Sequence, residues 1–470
     1  MRVCFFNRSY WPDFGATGQL LTELAEDLVA HHGCEVTVVT GYPLRGREGL
    51  ARREVRRGVE IIRAGGTTFD PRRFAGRAMN YVTYFVSACL AGLRVRRPDV
   101  VIALTDPPIV GLAALLAARR HRARFVFLCQ DIFPEVAVLL QDFHNRGVNA
   151  ALELVNRYLV RQADAIVALG ETMKRRLVDG KGAPADRVTV IHNWADCTTL
   201  VPGPKDNAFA RAHGLHDRFV VMHAGNIGLS QNLDILLGAA DRLRAHDGIR
   251  FVLVGDGSRR AELEARACER GLDNVTFVSY QPREAMPLSY AAADLFLVSL
   301  EPGLAGYIVP SKIYSILAAG RPYVAAVEEA CEVAGITERY GCGFVVPPGD
   351  ADAFASHILE LSRNPSATAD LGRRAREAAL DFDRRRQIAT YAQLLRDLHG
   401  RRPIADRRMP IADLHSQRSV ADSRVPIADG RLPTAGFDGR LPNAGRRMPS
   451  AGFDRRLPIA ELHVRRTTPE

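Results

Sequence analysis

No apolar run in this chain approaches the roughly 20 residues that span a bilayer. The run at 81–93 is too short, and polar residues flank it. The eight Cys (4, 34, 89, 129, 197, 268, 331 and 342) stand singly, without a CxxC pair or a Cys/His cluster. That excludes a zinc ribbon or a dithiol redox centre and predicts buried, reduced thiols of a cytosolic protein. No metal-ligating constellation stands out, so no metal or cofactor is expected. No GxGxxG follows a candidate strand, which argues against a dehydrogenase. The opening Met1–Phe6 is a short apolar run that turns polar at Asn7, a strand rather than a signal peptide. A cytoplasmic protein is expected.

What is present is ample core material. Apolar residues make up 47% and charged residues 25% of the 470 positions. At common domain sizes the length implies two or three domains. The formal net charge is +10. Residues 401–470 hold fourteen Arg and no Lys against eight acidic residues, so this tail supplies six of the ten charges. Its Pro-Ile-Ala-Asp-like units recur every seven to ten residues, too short for known solenoids, and Pro recurs too often for helix or central strand. The tail reads as disordered, and the high pI therefore gives no case for nucleic-acid binding.

From residue 1 to about 200, buried-type strands alternate with amphipathic helices. Strands are predicted at 3–6, 35–40, 59–64, 99–104, 124–129, 165–169 and 188–191, and helices at 20–31, 110–120 and 149–162. After the Pro/Gly linker 200–207 the rhythm restarts, with strands at 219–224, 249–254, 275–278, 294–299, 323–327 and 343–346 and helices at 232–246 and 259–270. Such βαβ repetition predicts two α/β domains, each on a parallel sheet, covering 1–200 and 208–380, then a C-terminal helix over 381–400. Residues 367–399 read as helical and basic.

Ligands of open parallel sheets bind at the carboxyl ends of the strands, so candidate site residues are sought there. The loop Pro12–Gly18 opens the first helix, and Gly15 leaves room for a ligand near the helix N-terminus. Asp131, in Gln130–Glu135, follows an apolar strand; it is either a carboxylate facing a substrate or a helix N-cap. The turn Gly225–Gly228 with Gln231 and Asn232 suits a phosphate but carries neutral side chains. Gly255, in Val254–Gly257, marks a second strand-end turn. Most informative is Glu301–Pro322. Ser311 reads as an N-cap, Gly320 as the C-terminal stop, and Lys312 with the first N–H groups suits a diphosphate.

Together these segments, with Val190–Asp196, resemble the family 4 retaining glycosyltransferases of the GT-B fold, in the bacterial branch that builds cell-surface polysaccharides. The resemblance covers nearly all of 1–398. It implies two facing Rossmann-like domains, with a nucleotide-sugar donor on the C-terminal half and a glycan or lipid-linked acceptor on the N-terminal half. The family pattern places Arg and Lys where this chain has Asn226 and Gln231, and two Glu where it has Tyr307 and Ser315. The expected roles are then Lys312, Ser311 and Asn226 at the diphosphate, Gln231 within the donor site, Gly255 at the nucleotide, Tyr307 and Ser315 at the ribose or sugar, and Asp131 and Gly15 toward the acceptor. UDP is the favoured base. The missing carboxylates leave open a non-catalytic partner, and the architecture leaves open a nucleotide-sugar epimerase. The apolar run 81–93, flanked by Arg72, Arg73 and Arg77 before it and Arg94, Arg96 and Arg97 after it, is either a buried helix or one lying on an anionic membrane.

Overall fold

The computed structural model describes residues 1–13, 15–43, 49–69, 74–140 and 145–400. Phe14, Arg72, Arg73 and the 401–470 tail lie outside these described residues.

Two sheets organise the molecule. The first contains β1 (Arg2–Phe6), β2 (Glu35–Thr40), β3 (Arg53–Arg56), β4 (Val59–Arg63), β5 (Val100–Ala103), β6 (Arg124–Leu128), β7 (Ala165–Ala168) and β8 (Val188–Val190), in the order β3-β4-β2-β1-β5-β6-β7-β8. All neighbours pair parallel except β3 with β4. The second contains β9 (Phe219–Ala224), β10 (Ile249–Val254), β11 (Val275–Val278), β12 (Leu295–Ser299), β13 (Tyr323–Ala326) and β14 (Gly343–Val346), in the order β11-β10-β9-β12-β13-β14, all parallel. This is the 3-2-1-4-5-6 order of a Rossmann sheet, reversing direction between β9 and β12, as the first sheet does between β1 and β5.

The strands are near-continuous Val, Ile, Phe and Ala because helices cover both faces of each sheet, and β5, β6, β7, β12 and β13 are buried at every position. α1 (Ala16–His32) buries Leu20, Leu21, Leu24 and Leu28 and stops at Gly33 in the left-handed conformation. α2 (Phe74–Arg94) packs on α3 (Val110–His121), where Gly92 sits so close to Phe6 and Ala117 that a Cβ would lie 2.8 Å from the Phe6 ring.

Several local expectations need correction. The helix expected at 232–246 spans only Asp234–Arg242, because Asn232 adopts a left-handed conformation that precedes it. The basic helix expected over 367–399 breaks at Leu380–Asp383 into Pro365–Ala379 and Arg384–Leu398. The last segment returns to the first domain, where Ile388, Tyr391 and Leu395 join the core formed by Leu20, Leu24 and Leu28. Arg384 fixes this return with two hydrogen bonds to Asp27, at 2.8 and 2.6 Å. Among the eight thiols, all unpaired, Cys268 is exposed and Cys89 half-buried; the other six are buried.

Candidate active site

The two halves meet across the carboxyl edges of their sheets. The Gln19 amide on α1 donates to the Tyr280 hydroxyl after β11 (3.1 Å), and the Ile132 N–H after β6 donates to the Tyr307 carbonyl (2.9 Å).

On the C-terminal side, two turns lock into one another. The Gly225 N–H donates to Val254 O, the Ile227 N–H to Asp256 O, and Gly255 runs against the Gly225 carbonyl so closely that a Cβ would lie 1.9 Å from that oxygen. Gly255 also has φ +145, so no other residue fits there. Asn226 stays exposed at the rim, its amide close to Gly228 and Gly257. Beneath this double turn lies Lys312. Its Nζ is 2.5 Å from Gln231 Oε1 and 3.3–3.4 Å from the two ring nitrogens of His223, and its Cε lies 3.8 Å from where a Gly225 Cβ would be.

His223, fully buried inside β9, is a member of the site that sequence reasoning missed. Burial and the Lys312 charge hold its pKa well below the usual value, so it is neutral. Nε2 faces the Asn226 carbonyl at 3.3 Å. The network is satisfied if Nε2 carries the proton and Nδ1 accepts from the ammonium, an assignment inferred from partners. Desolvation alone draws the Lys312 pKa down to about 7, with no carboxylate offsetting it among the described residues. The ammonium thus sits beside Gln231, the position where the resemblance implied a charged residue.

The Ser311 expectation needs correction. Its backbone is already helical (φ −63, ψ −19) and its hydroxyl makes no cap. The Ile313 and Tyr314 N–H groups instead close tight turns onto Pro310 O and Ser311 O, both at 3.3 Å. The helix Lys312–Ala318 is two turns long and ends at Gly320, φ +62, as expected. Ser315 is half-buried and stands beside the phenol of Tyr290. Tyr307 does not join the Lys312 cluster; its ring lies under the Arg176 guanidinium, 4.6 Å away, at the seam between the halves.

On the N-terminal side, Asp131 is half-buried just past β6 and caps no helix; the next one begins at Glu135 behind Pro134. Its carboxyl is pushed up to about 6, first by burial and then by the charge of Asp106. Asp106 follows β5 by the same strand-end rule that selected Asp131, yet its motif was passed over. It accepts from Arg8 (3.2 Å) and from the Ser9 hydroxyl (2.6 Å). Gly15 precedes α1 with φ −66 and is exposed, and nothing lies within 4 Å of the Cβ it lacks. Glu135 is spent on the buried Lys181 ammonium (2.6 Å) and is therefore structural.

A larger cavity, about 540 Å³, lies at the opposite edge of the second sheet beside the interdomain linker. The Arg321 and Arg376 guanidiniums in its wall bond the backbone carbonyls of Gly203, Ala291, Leu200 and Cys197, so they hold the linker.

Residues 15–194 match the glycosyl transferase 4-like domain and residues 218–364 match the group 1 glycosyl transferases, together more than two thirds of the chain. The chain belongs to the GT-B glycosyltransferases. A Pseudomonas aeruginosa protein named as a glycosyltransferase, WbjE, is 29% identical over 294 residues, 61% of this chain and 71% of its own. A protein of Escherichia coli K12 named as a colanic acid biosynthesis glycosyl transferase, WcaI, is 26% identical over 417 residues, 85% of this chain and 100% of its own. In fold, this glycosyltransferase is similar to Anabaena HepE, solved with UDP and glucose: TM-score 0.66 at 19% identity, over 84% of this chain and 100% of that one.

The apolar run within α2 proves to be neither wholly buried nor membrane-spanning. Tyr84 and Ala88 face the core, whereas Met79, Val82, Val86, Leu90 and Leu93 are all exposed, along one side of the helix. No helix among the described residues is long and apolar enough to cross a membrane.

Proposed function

We propose that this glycosyltransferase moves a hexosyl or N-acetylhexosaminyl group, with retention at the anomeric carbon, from a UDP-sugar to a glycan or lipid-linked acceptor of cell-surface polysaccharide synthesis, at the inner face of the cytoplasmic membrane. The observation that carries the reading is Lys312: a desolvated cation with no carboxylate partner among the described residues, beneath interlocked glycine turns at the point where strand order reverses. When the bond from the anomeric carbon to the phosphate oxygen breaks, negative charge gathers on the departing diphosphate. A pre-placed ammonium in a poorly solvated site stabilises that charge more than it stabilises the ground state. Asn226, Gln231 and the segment around Ser311 line the same place. Gly255 lets the nucleotide approach, and Ser315 and Tyr307 stand toward the sugar end. Across the cleft, Asp131 accepts a hydrogen bond from the attacking hydroxyl, and Gly15 keeps the entrance to α1 open for the acceptor. The glycosyltransferases compared above, one of them solved with UDP, support the donor class.

Thermal stabilisation of the full chain by UDP-, GDP- and ADP-sugars tests the reading. A ligand at about 100 times its dissociation constant adds roughly 2.7 kcal/mol. A shift with one nucleotide sugar that Lys312→Ala abolishes is expected. No shift with any of them would refute donor binding, and binding without turnover on any acceptor would favour a non-catalytic partner. Release of an epimerised donor without acceptor would mark an epimerase.

A further inference from the structure

Between β12 and the Lys312 helix the chain makes a detour into the other half of the molecule. The detour is rooted in its own half, where Leu304 and Ala305 are buried with Ile313 and Tyr314 in the core of the second sheet. A tight turn follows, with the Tyr307 N–H on Leu304 O at 3.0 Å. Val309, just beyond the turn, is buried in a different core, that of the first sheet, together with Phe127, Ile132 and Met173.

The tip between these two anchors is closely fitted. Gly306 lies at φ +79, in the left-handed region that glycine favours, and a Cβ on it would come 2.7 Å from the Thr172 methyl and 3.1 Å from the Thr172 carbonyl oxygen. The Arg176 guanidinium covers the Tyr307 ring. With the tip seated in this way, the Tyr307 carbonyl accepts from the Ile132 N–H at 2.9 Å.

That N–H belongs to the peptide unit that joins Asp131 to Ile132. The first half itself holds the Asp131 backbone by two longer contacts, the Asp131 N–H to the Thr105 hydroxyl at 3.3 Å and the Cys129 thiol to the Asp131 carbonyl at 3.5 Å. The bond from the opposite half is the shortest of the three. Beyond Val309 the same segment runs through Pro310 and Ser311 and delivers Lys312 to the donor turns.

We infer that Gly306 and Tyr307, carried by the donor half, are positioning residues for Asp131, so that one segment sets the acceptor-side carboxylate and the donor-side ammonium together. They act through the Ile132 amide. This rests on the reading of Asp131 as the partner of the attacking hydroxyl and adds what holds it in place.

The test is hydrogen–deuterium exchange of the full chain, read at the Ile132 amide and, for comparison, along β6. Gly306→Ala drives a methyl into Thr172 and should speed exchange at Ile132 about fivefold or more, the fold-change of one net hydrogen bond, while β6 keeps its wild-type rates. Adding Thr172→Ser removes the methyl in the way and should restore much of the protection. Should Gly306→Ala not fold, Val309→Ala loosens the same seat without backbone strain and should act in the same direction. In either variant the affinity for UDP by titration calorimetry should stay within about twofold, while UDP release from the UDP-sugar that stabilises the wild type should fall about tenfold or more. Unchanged exchange at Ile132, exchange that rises equally along β6, or a loss that Thr172→Ser does not relieve overturns the inference. So does faster exchange at Ile132 with undiminished UDP release. A wild type without any thermal shift on UDP would refute the donor reading instead, and exchange at Ile132 would then decide the inference alone.

Discussion

With Lys312 drawn down to about 7, the free protein holds this side chain only partly charged in mildly alkaline solution. A diphosphate bound beside it favours the ammonium, so binding takes up a proton above that value, and affinity should fall as pH rises. Between pH 7.5 and 9 the protonated fraction of a group titrating near 7 drops roughly 20-fold, about 1.8 kcal/mol in binding free energy. The second phosphate ionisation, near 6, is already complete in that window. Titration calorimetry with UDP at several pH values reads the slope directly, and repeating it in buffers of different ionisation enthalpy counts the protons. Lys312→Arg keeps a cation that does not titrate in this range, so its affinity should be nearly flat with pH. The unliganded protein supplies an independent check of sign. The unfolded chain holds the lysine proton up to the ordinary value of 10.5 and the folded chain only to about 7. Stability should therefore rise with pH between those values and should lose that component in Lys312→Arg. A wild-type affinity that stays level from pH 7.5 to 9 would refute the placement of Lys312 at the diphosphate.

Asp131, raised to about 6, should give transfer activity an acid limb near that pH, with the rate falling as the carboxylate gains a proton. Asp131→Asn should lower the rate and remove the limb, and a limb surviving in the variant would assign it elsewhere. The two site glycines should separate cleanly. Gly255→Ala drives a Cβ into the Gly225 carbonyl at a φ of +145 and should cost upwards of about 3 kcal/mol in thermal or urea unfolding. Gly15→Ala meets nothing within 4 Å at an ordinary φ and should leave stability within about 0.5 kcal/mol. Any loss of activity in Gly15→Ala then reports a ligand approaching that backbone, and unchanged kinetics with every acceptor would remove Gly15 from the site.

Much of this architecture was legible because parallel strands covered on both faces must be continuously apolar, and runs such as Val100–Ala103 and Leu295–Ser299 declare themselves. β3, Arg-Glu-Val-Arg, was not legible. It is an antiparallel edge strand whose charged side chains are matched by neighbours, Arg53 with Glu60 and Glu54 with Arg63 on β4, and Arg56 with Glu26 on α1. The break at Leu380–Asp383 does carry a local signal, Asp383, whose extended backbone and carboxylate cap the following helix at the Arg385 N–H, but the basic helical stretches on either side read as one. In the site, Lys312, Gln231, Asn226 and Gly255 come together as the strand-end rule suggested. His223 was missed because a lone His in an apolar strand reads as core. It is core, and it borders the ammonium as well. Ser311 misled because its residue type is right for a cap while its own backbone has already turned helical.

The return of the chain after Phe382 has a mechanical meaning. The backbone passes between the halves twice, once near Ala195 and once near Asp383, and the two passages are bonded side by side, Ala195 N–H to Phe382 O and Arg384 N–H to Ala195 O. A single linker would let the domains swivel like beads on a thread. Two laced strands behave as the spine of a book, permitting rotation about one line and resisting twist and slide. A rotation about that line would return the half bearing Asp131 and the half bearing Lys312 to the same alignment.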